Sequence, residues 1–179
     1  MIRRDLIQRV LQYDFARYFM LFSMGVRGGL ESWLQVELVD ALQSADGSYQ
    51  REVVYPGTNH KADFKVDQDY VEIKCLNFGE SNTYCASRYL TDLKKVHDKS
   101  ENCFCVLIFV GSKENMQEAI ITEWANQKWN SDIIYMDSRP KFEPYYESAK
   151  AFINSAITFY DTPTPNVKIA IYRNTIEEV

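Results

Sequence analysis

ADFKVDQDYVEIK, residues 62–74, decides the reading of the fold. Side chains alternate between the two faces of a strand. Over residues 70–76, Val71, Ile73 and Cys75 share one face, and Glu72 and Lys74 share the other. Over residues 61–66, Ala62, Phe64 and Val66 share one face, and Lys61, Asp63 and Lys65 share the other. Asp67, Gln68 and Asp69 between them are polar and turn-prone. A tight hairpin must keep both apolar rows on one side, because a slip of one residue would turn every side chain over. Asp63 then stands opposite Glu72 or Lys74, and two carboxylates and an ammonium meet on one small patch.

Such a patch suits a hard divalent cation. Mg²⁺ takes oxygen ligands, keeps several waters, and is commonly held by one or two carboxylates together with substrate phosphate. A cation there would activate water and offset charge on a phosphate, with Lys74 neutralising charge as it develops. The alternative is a solvated hairpin face carrying cross-strand ion pairs.

The flanking elements extend the pattern. A helix is expected from Leu30 to about Gln43, with Leu34, Leu38 and Leu42 in one stripe and Glu31 on the same line one turn earlier. A carboxylate in line with a core stripe needs a partner, although a Glu in a first helical turn is also favoured by the helix dipole. Gly47 lies in the turn beyond, and Arg51 to Tyr55 reads as a strand ended by Pro56-Gly57. His60, in the loop before Asp63, is first an exposed loop residue and second a contact to phosphate or base. A helix from about Thr83 to His97 buries Cys85, Tyr89, Leu93 and Val96, and carries Arg88, Lys94 and Lys95 with Asp92 as counter-charge on a solvated face. Asn102 to Gly111 is one apolar run, read as a central strand buried on both faces.

A helix with Glu31, a strand, Asp63, Glu72-Ile73-Lys74, a helix and another strand resembles the PD-(D/E)XK nuclease superfamily, which has the restriction-endonuclease-like fold. The resemblance covers roughly residues 28–111, and Ala62 stands where the family often has Pro. It implies an α/β fold with a mixed central sheet flanked by helices in the order α-β-β-β-α-β. It implies Mg²⁺ or Mn²⁺ as cofactor, held by Asp63 and Glu72 with the Ile73 carbonyl as an extra ligand, and Lys74 as the catalytic lysine. An acid on the first core helix would complete the set, with Glu31 the choice and Glu37 the runner-up. Arg88 would approach the scissile phosphate, with Lys61 and His60 as further nucleic-acid contacts. The expected activity is phosphodiester hydrolysis, with DNA the expected partner. A non-catalytic module binding nucleic acid or protein on the same fold is the alternative, since fold does not fix function.

Composition bounds this reading. With 179 residues, 46% of them hydrophobic, one domain is expected, the core at about 28–111 extended by an N-terminal helix over 2–23 and α/β elements over 112–179. The net charge of −5 gives no general attraction to nucleic acid, so positive potential must be local. Four cysteines without a C-x-x-C pair argue for buried thiols in a reducing, cytoplasmic setting. No signal peptide or membrane span is expected, since the apolar run 18–26 is too short. The N-terminal helix packs on the core or, as the alternative, forms a homodimer contact. Beyond the core, the sequence suggests a helix from Lys113 to Trp129, a short strand Asp132–Met136, a loop bounded by Arg139-Pro140, a helix Tyr145–Phe159 and a last strand Val167–Tyr172 at a sheet edge.

Overall fold

A computed structural model describes residues 2–43, 49–97, 99, 102–136, 138 and 140–174. Gly47, expected in a turn, and Arg139, expected in a loop, lie outside the described residues. Three helices come first: α1 (Ile2–Gln12), α2 (Ala16–Ser23) and α3 (Leu30–Gln43). Strands β1 (Tyr49–Val54), β2 (Lys61–Val66) and β3 (Asp69–Cys75) follow, then α4 (Asn82–His97) and β4 (Cys103–Val110). The chain continues through α5 (Lys113–Ile133), α6 (Glu143–Ala156), β5 (Ile157–Asp161) and β6 (Val167–Asn174).

The strands form one mixed sheet in the order β1-β2-β3-β4-β6-β5. β3 and β4 run parallel and are joined by α4, while the other neighbours are antiparallel. Both faces are covered. On one, Phe64, Val71, Ile73, Phe104 and Val106 pack against Leu30, Leu34 and Leu38 of α3 and Phe15 and Tyr18 at α2. On the other, Tyr70, Cys105, Leu107 and Tyr172 pack against Leu90 and Leu93 of α4, with Ile120 of α5 and Ile153 of α6. Residues 103–109 of β4 are all buried because helices cover both its faces and β3 and β6 cover both its edges.

The α/β class, the mixed sheet and the run from α3 to β4 follow the sequence expectation. The rest needs four corrections. The helix expected over 2–23 breaks at Tyr13–Phe15, where Asp14 Oδ1 accepts the Ala16 N–H at 2.9 Å and so offers the backbone an alternative to helix. The expected strand 132–136 is absent: α5 runs to Ile133 and ends in a turn. The helix expected to reach Phe159 stops at Ala156, and Ile157–Asp161 forms β5. That segment, ITFYD, holds β-branched and aromatic residues that favour strand. Finally, β6 is not at an edge; it lies between β4 and β5, and β5 is the edge strand on that side, as β1 is on the other.

Candidate active site

The site forms where the sheet opens. β2 and β3 pair at Val66↔Asp69, Lys65↔Tyr70 and Phe64↔Val71, and their ladder stops there. β3 continues beside β4 as far as Cys75. The N–H groups of Tyr70 and of Leu76, just past its end, turn to β4's side, donating to the carbonyls of Asn102 and Ile108. Ile73 and Cys75 turn the other way, toward the edge that β2 has left. A buried N–H without a partner is costly, and carboxylates supply the missing acceptors. Ile73 N–H donates to Asp63 Oδ2 at 2.6 Å, and Cys75 N–H donates to Glu31 Oε2 at 3.4 Å. A strand residue directs its N–H and C=O to the same neighbour, so the Ile73 carbonyl also belongs to this open edge.

The parity expected from the sequence holds for Phe64, Val66, Val71, Ile73 and Cys75, which share one core. Ala62 departs from it and packs in the opposite core, beyond the point where β2 leaves β3. The face expected to be polar and solvated is covered as well, so Glu72 is only 2% exposed. Tyr55 donates its hydroxyl to Glu72 Oε1 at 2.9 Å. Burial, then the charges of Asp63 and Asp92, push the Glu72 carboxyl up to about 8, against the weaker pull of Lys95 and the Tyr55 hydrogen bond. Burial also raises Asp63 above the ordinary carboxylate range, although the Ile73 N–H and Lys74 oppose it. These bonds use Asp63 Oδ2 and Glu72 Oε1, and leave Oδ1 and Oε2 outside them.

Lys74 lies between the two helical layers. Its Nζ is 3.0 Å from Glu31 Oε1 on α3 and 2.8 Å from Asp92 Oδ2 on α4. The Asp92 contact is a meeting of charges without hydrogen-bond alignment, since Oδ2 is fully buried and has no hydrogen-bond partner. Asp92 Oδ1 accepts from Lys95. Burial pulls the Lys74 ammonium down, but Asp92 and Glu31 outweigh it and hold Lys74 above its ordinary range. Arg88 closes the group. Its Nη2 reaches Glu31 Oε2 at 2.8 Å, and its Nη1 donates to both oxygens of Glu80 at 2.9 and 3.0 Å. Glu80 in turn accepts from the Asn77 backbone and side chain, fixing the loop that leaves β3.

The structure thus brings together Glu31, Asp63, Glu72, Ile73, Lys74 and Arg88. Glu37 points elsewhere, accepting from the Tyr13 hydroxyl at 2.7 Å and facing Arg17, so Glu31 is the helix acid at this group. His60 is exposed, and Lys61 is an exposed partner of Glu52 at 3.4 Å. Asp92 is the residue misjudged from sequence: it is 4% exposed rather than a solvated counter-charge. Its place three residues after Tyr89 and four before Val96, both buried, was the available signal. Tyr55 and Glu80 were also missed as partners, because they reach the site from outside the motif.

The donor set fits a cation held by two carboxylates and a backbone carbonyl. Among the described residues, no three His, Cys, Asp or Glu side chains are grouped as a metal centre. Glu31 instead directs both oxygens to Lys74, Arg88 and the Cys75 N–H.

Comparison of the chain with protein-family models, curated proteins and solved structures finds no match. No helix among the described residues is long and apolar enough to cross a membrane.

Proposed function

We propose that this protein is a divalent-cation-dependent nuclease hydrolysing phosphodiester bonds, with DNA the expected substrate. The observation behind the reading is the crowding of Asp63 and Glu72 at the open β2–β3 edge, with Lys74 beside them. Two carboxylates so close that one helps hold the other protonated form a site that gains from a cation. Asp63, Glu72 and the Ile73 carbonyl would hold Mg²⁺ or Mn²⁺. The cation would polarise a phosphoryl oxygen and lower the pKa of a bound water. Lys74, kept charged by its two carboxylates, would offset negative charge developing on the phosphate. Glu31 and Asp92 fix the Lys74 ammonium, and Arg88 stands ready to trade a carboxylate for a phosphate oxygen. The four cysteines are all buried and none is in a disulfide, which agrees with a reducing, cytoplasmic setting.

A second reading rests on the same lysine. An ammonium between Glu31 and Asp92 also ties α3 to α4, and a non-catalytic binding module would need no more than that tie. Incubation of plasmid and labelled oligonucleotides with the protein and Mg²⁺ or Mn²⁺ separates the two. Cleavage that is lost in Asp63→Asn and Glu72→Gln supports the nuclease. Folded wild type without cleavage of duplex, single strand or junction under either metal overturns it.

A further inference from the structure

Resting on the nuclease reading, we infer that Phe78 and Tyr84 form a stacking platform beside the carboxylates, which makes unpaired bases of a single strand the preferred substrate. Phe78 lies in the loop that leaves β3 four residues after Lys74, and the residue is 40% exposed. The ring is fixed from one side. Phe22 packs edge-on to it at 5.9 Å between centroids, and Gly25 leaves room for it, since a Cβ there would lie 3.3 Å from the ring. Tyr84 stands one turn before Arg88 on α4, is 58% exposed, and has the Arg88 guanidinium 5.9 Å from its ring centroid. Arg88 then bonds Glu80 and Glu31, which bonds Lys74. Two partly exposed aromatic residues therefore adjoin the charged group, Phe78 next to Asn77, which bonds Glu80, and Tyr84 through Arg88.

The distribution of cations favours the same substrate. Lys61, Lys74, Arg88 and Lys95 each lie against a carboxylate. Duplex binding draws its affinity chiefly from cations that replace counterions along the phosphates, and each of these four must first part from a carboxylate to do so. Stacking adds an attraction that a duplex, its bases paired inside, does not offer, since every unpaired base supplies a π-face. A base held on Phe78 or Tyr84 would bring its phosphate toward Arg88 and Lys74.

The test is fluorescence anisotropy in EDTA, where no cleavage interferes. The probes are a labelled oligothymidylate about a dozen nucleotides long, within the span such sites cover, its duplex with oligoadenylate, and an abasic strand of equal length. The single strand should bind more tightly than the duplex or the abasic strand. Phe78→Ala with Tyr84→Ala should weaken it about tenfold or more. Tyr84→Leu, a change at an exposed position that keeps bulk without a ring, should lose affinity, and Tyr84→Trp should retain it. Equal binding of abasic and base-bearing strands, or Tyr84→Leu and the double variant binding as wild type does, overturns the platform. Cleavage with Mn²⁺ is read separately. Stacking without cleavage leaves the platform standing and removes the nuclease; duplex cleavage unaffected by these variants does the reverse.

Discussion

Glu72 is a buried carboxyl whose proton is retained near neutral pH, and this sets the sign of a stability effect. Its value in the fold, about 8, lies above the ordinary value of 4.5 that the unfolded chain restores. The folded state therefore binds the proton more tightly, and stability from this group is full below the unfolded value and lost as pH rises through about 8. Asp63 is raised as well and adds the same sign. Lys74 is raised from 10.5, so its contribution is lost only above that window. Metal-free protein should lose stability between pH 5 and 8, by up to about 1.4 kcal/mol per pH unit from Glu72. Glu72→Gln should flatten that slope and be the more stable protein at pH 8, as read by urea denaturation at several pH values. Lys74→Ala should cost about 3 kcal/mol, because it takes the cation from Glu31 Oε1 and from the fully buried Asp92 Oδ2, although Arg88 and Lys95 still hold the other oxygens. Lys95→Ala should cost under about 1 kcal/mol, because that side chain is a third exposed. Denaturation midpoints of the two variants at pH 7 check the contrast.

Among the elements, the break between α1 and α2 depends on one side chain. Asp14 Oδ1 accepts both the Ala16 N–H at 2.9 Å and the Thr164 hydroxyl at 3.1 Å, linking the break to the β5–β6 turn. Asp14→Ala should cost about 1 kcal/mol and lower the melting temperature by about 2–4 °C, read by calorimetry; Asp14→Asn should recover most of it. This junction also shows what the sequence could not disclose. Residues 2–23 lack any Gly or Pro before Ser23, so helical periodicity ran unbroken through a bend that Asp14 makes with the Ala16 N–H and that Thr164, 150 residues away in the chain, helps hold. α3, β3 and β4 were legible because each carries its own periodicity: the stripe of Leu34, Leu38 and Leu42, the alternation around Glu72, and the all-apolar run 103–110. β5 was not, because helix α6 passes into it without a turn, Ala156 to Ile157. At the site, Asp63, Glu72 and Lys74 were legible from strand parity. The roles of Asp92, Tyr55 and Glu80 were not, because they depend on how α4 and two loops dock on the sheet.

For the molecule as a whole, an acidic chain concentrates five carboxylates, Glu31, Asp63, Glu72, Glu80 and Asp92, around Lys74, Arg88 and Lys95. A cation that binds only the folded state stabilises it by mass action, about 2.7 kcal/mol at a hundredfold excess over Kd. For a chain of this size that is a rise of about 5–10 °C in melting temperature. Millimolar Mn²⁺ should produce the rise in wild type, and Asp63→Asn should lose most of it while remaining folded. Differential scanning fluorimetry with and without chelator reads both. An unchanged wild type under either metal would assign Asp63 to the structural reading.

The position of β6 has a consequence for synthesis on the ribosome. β4 pairs along its full length with β6, through Val110↔Val167 to Cys103↔Asn174, and β5 reaches the sheet only through β6. While the chain emerges, β3, α4 and β4 are already available, but one whole edge of an entirely apolar strand has no neighbour until residue 174 is free. A nascent chain halted before residue 167 presents that edge to any other strand it meets. Such a chain needs a chaperone, or a pause short enough that β6 arrives first. The residues that complete the sheet are thus also the ones that end the period in which it is prone to aggregate.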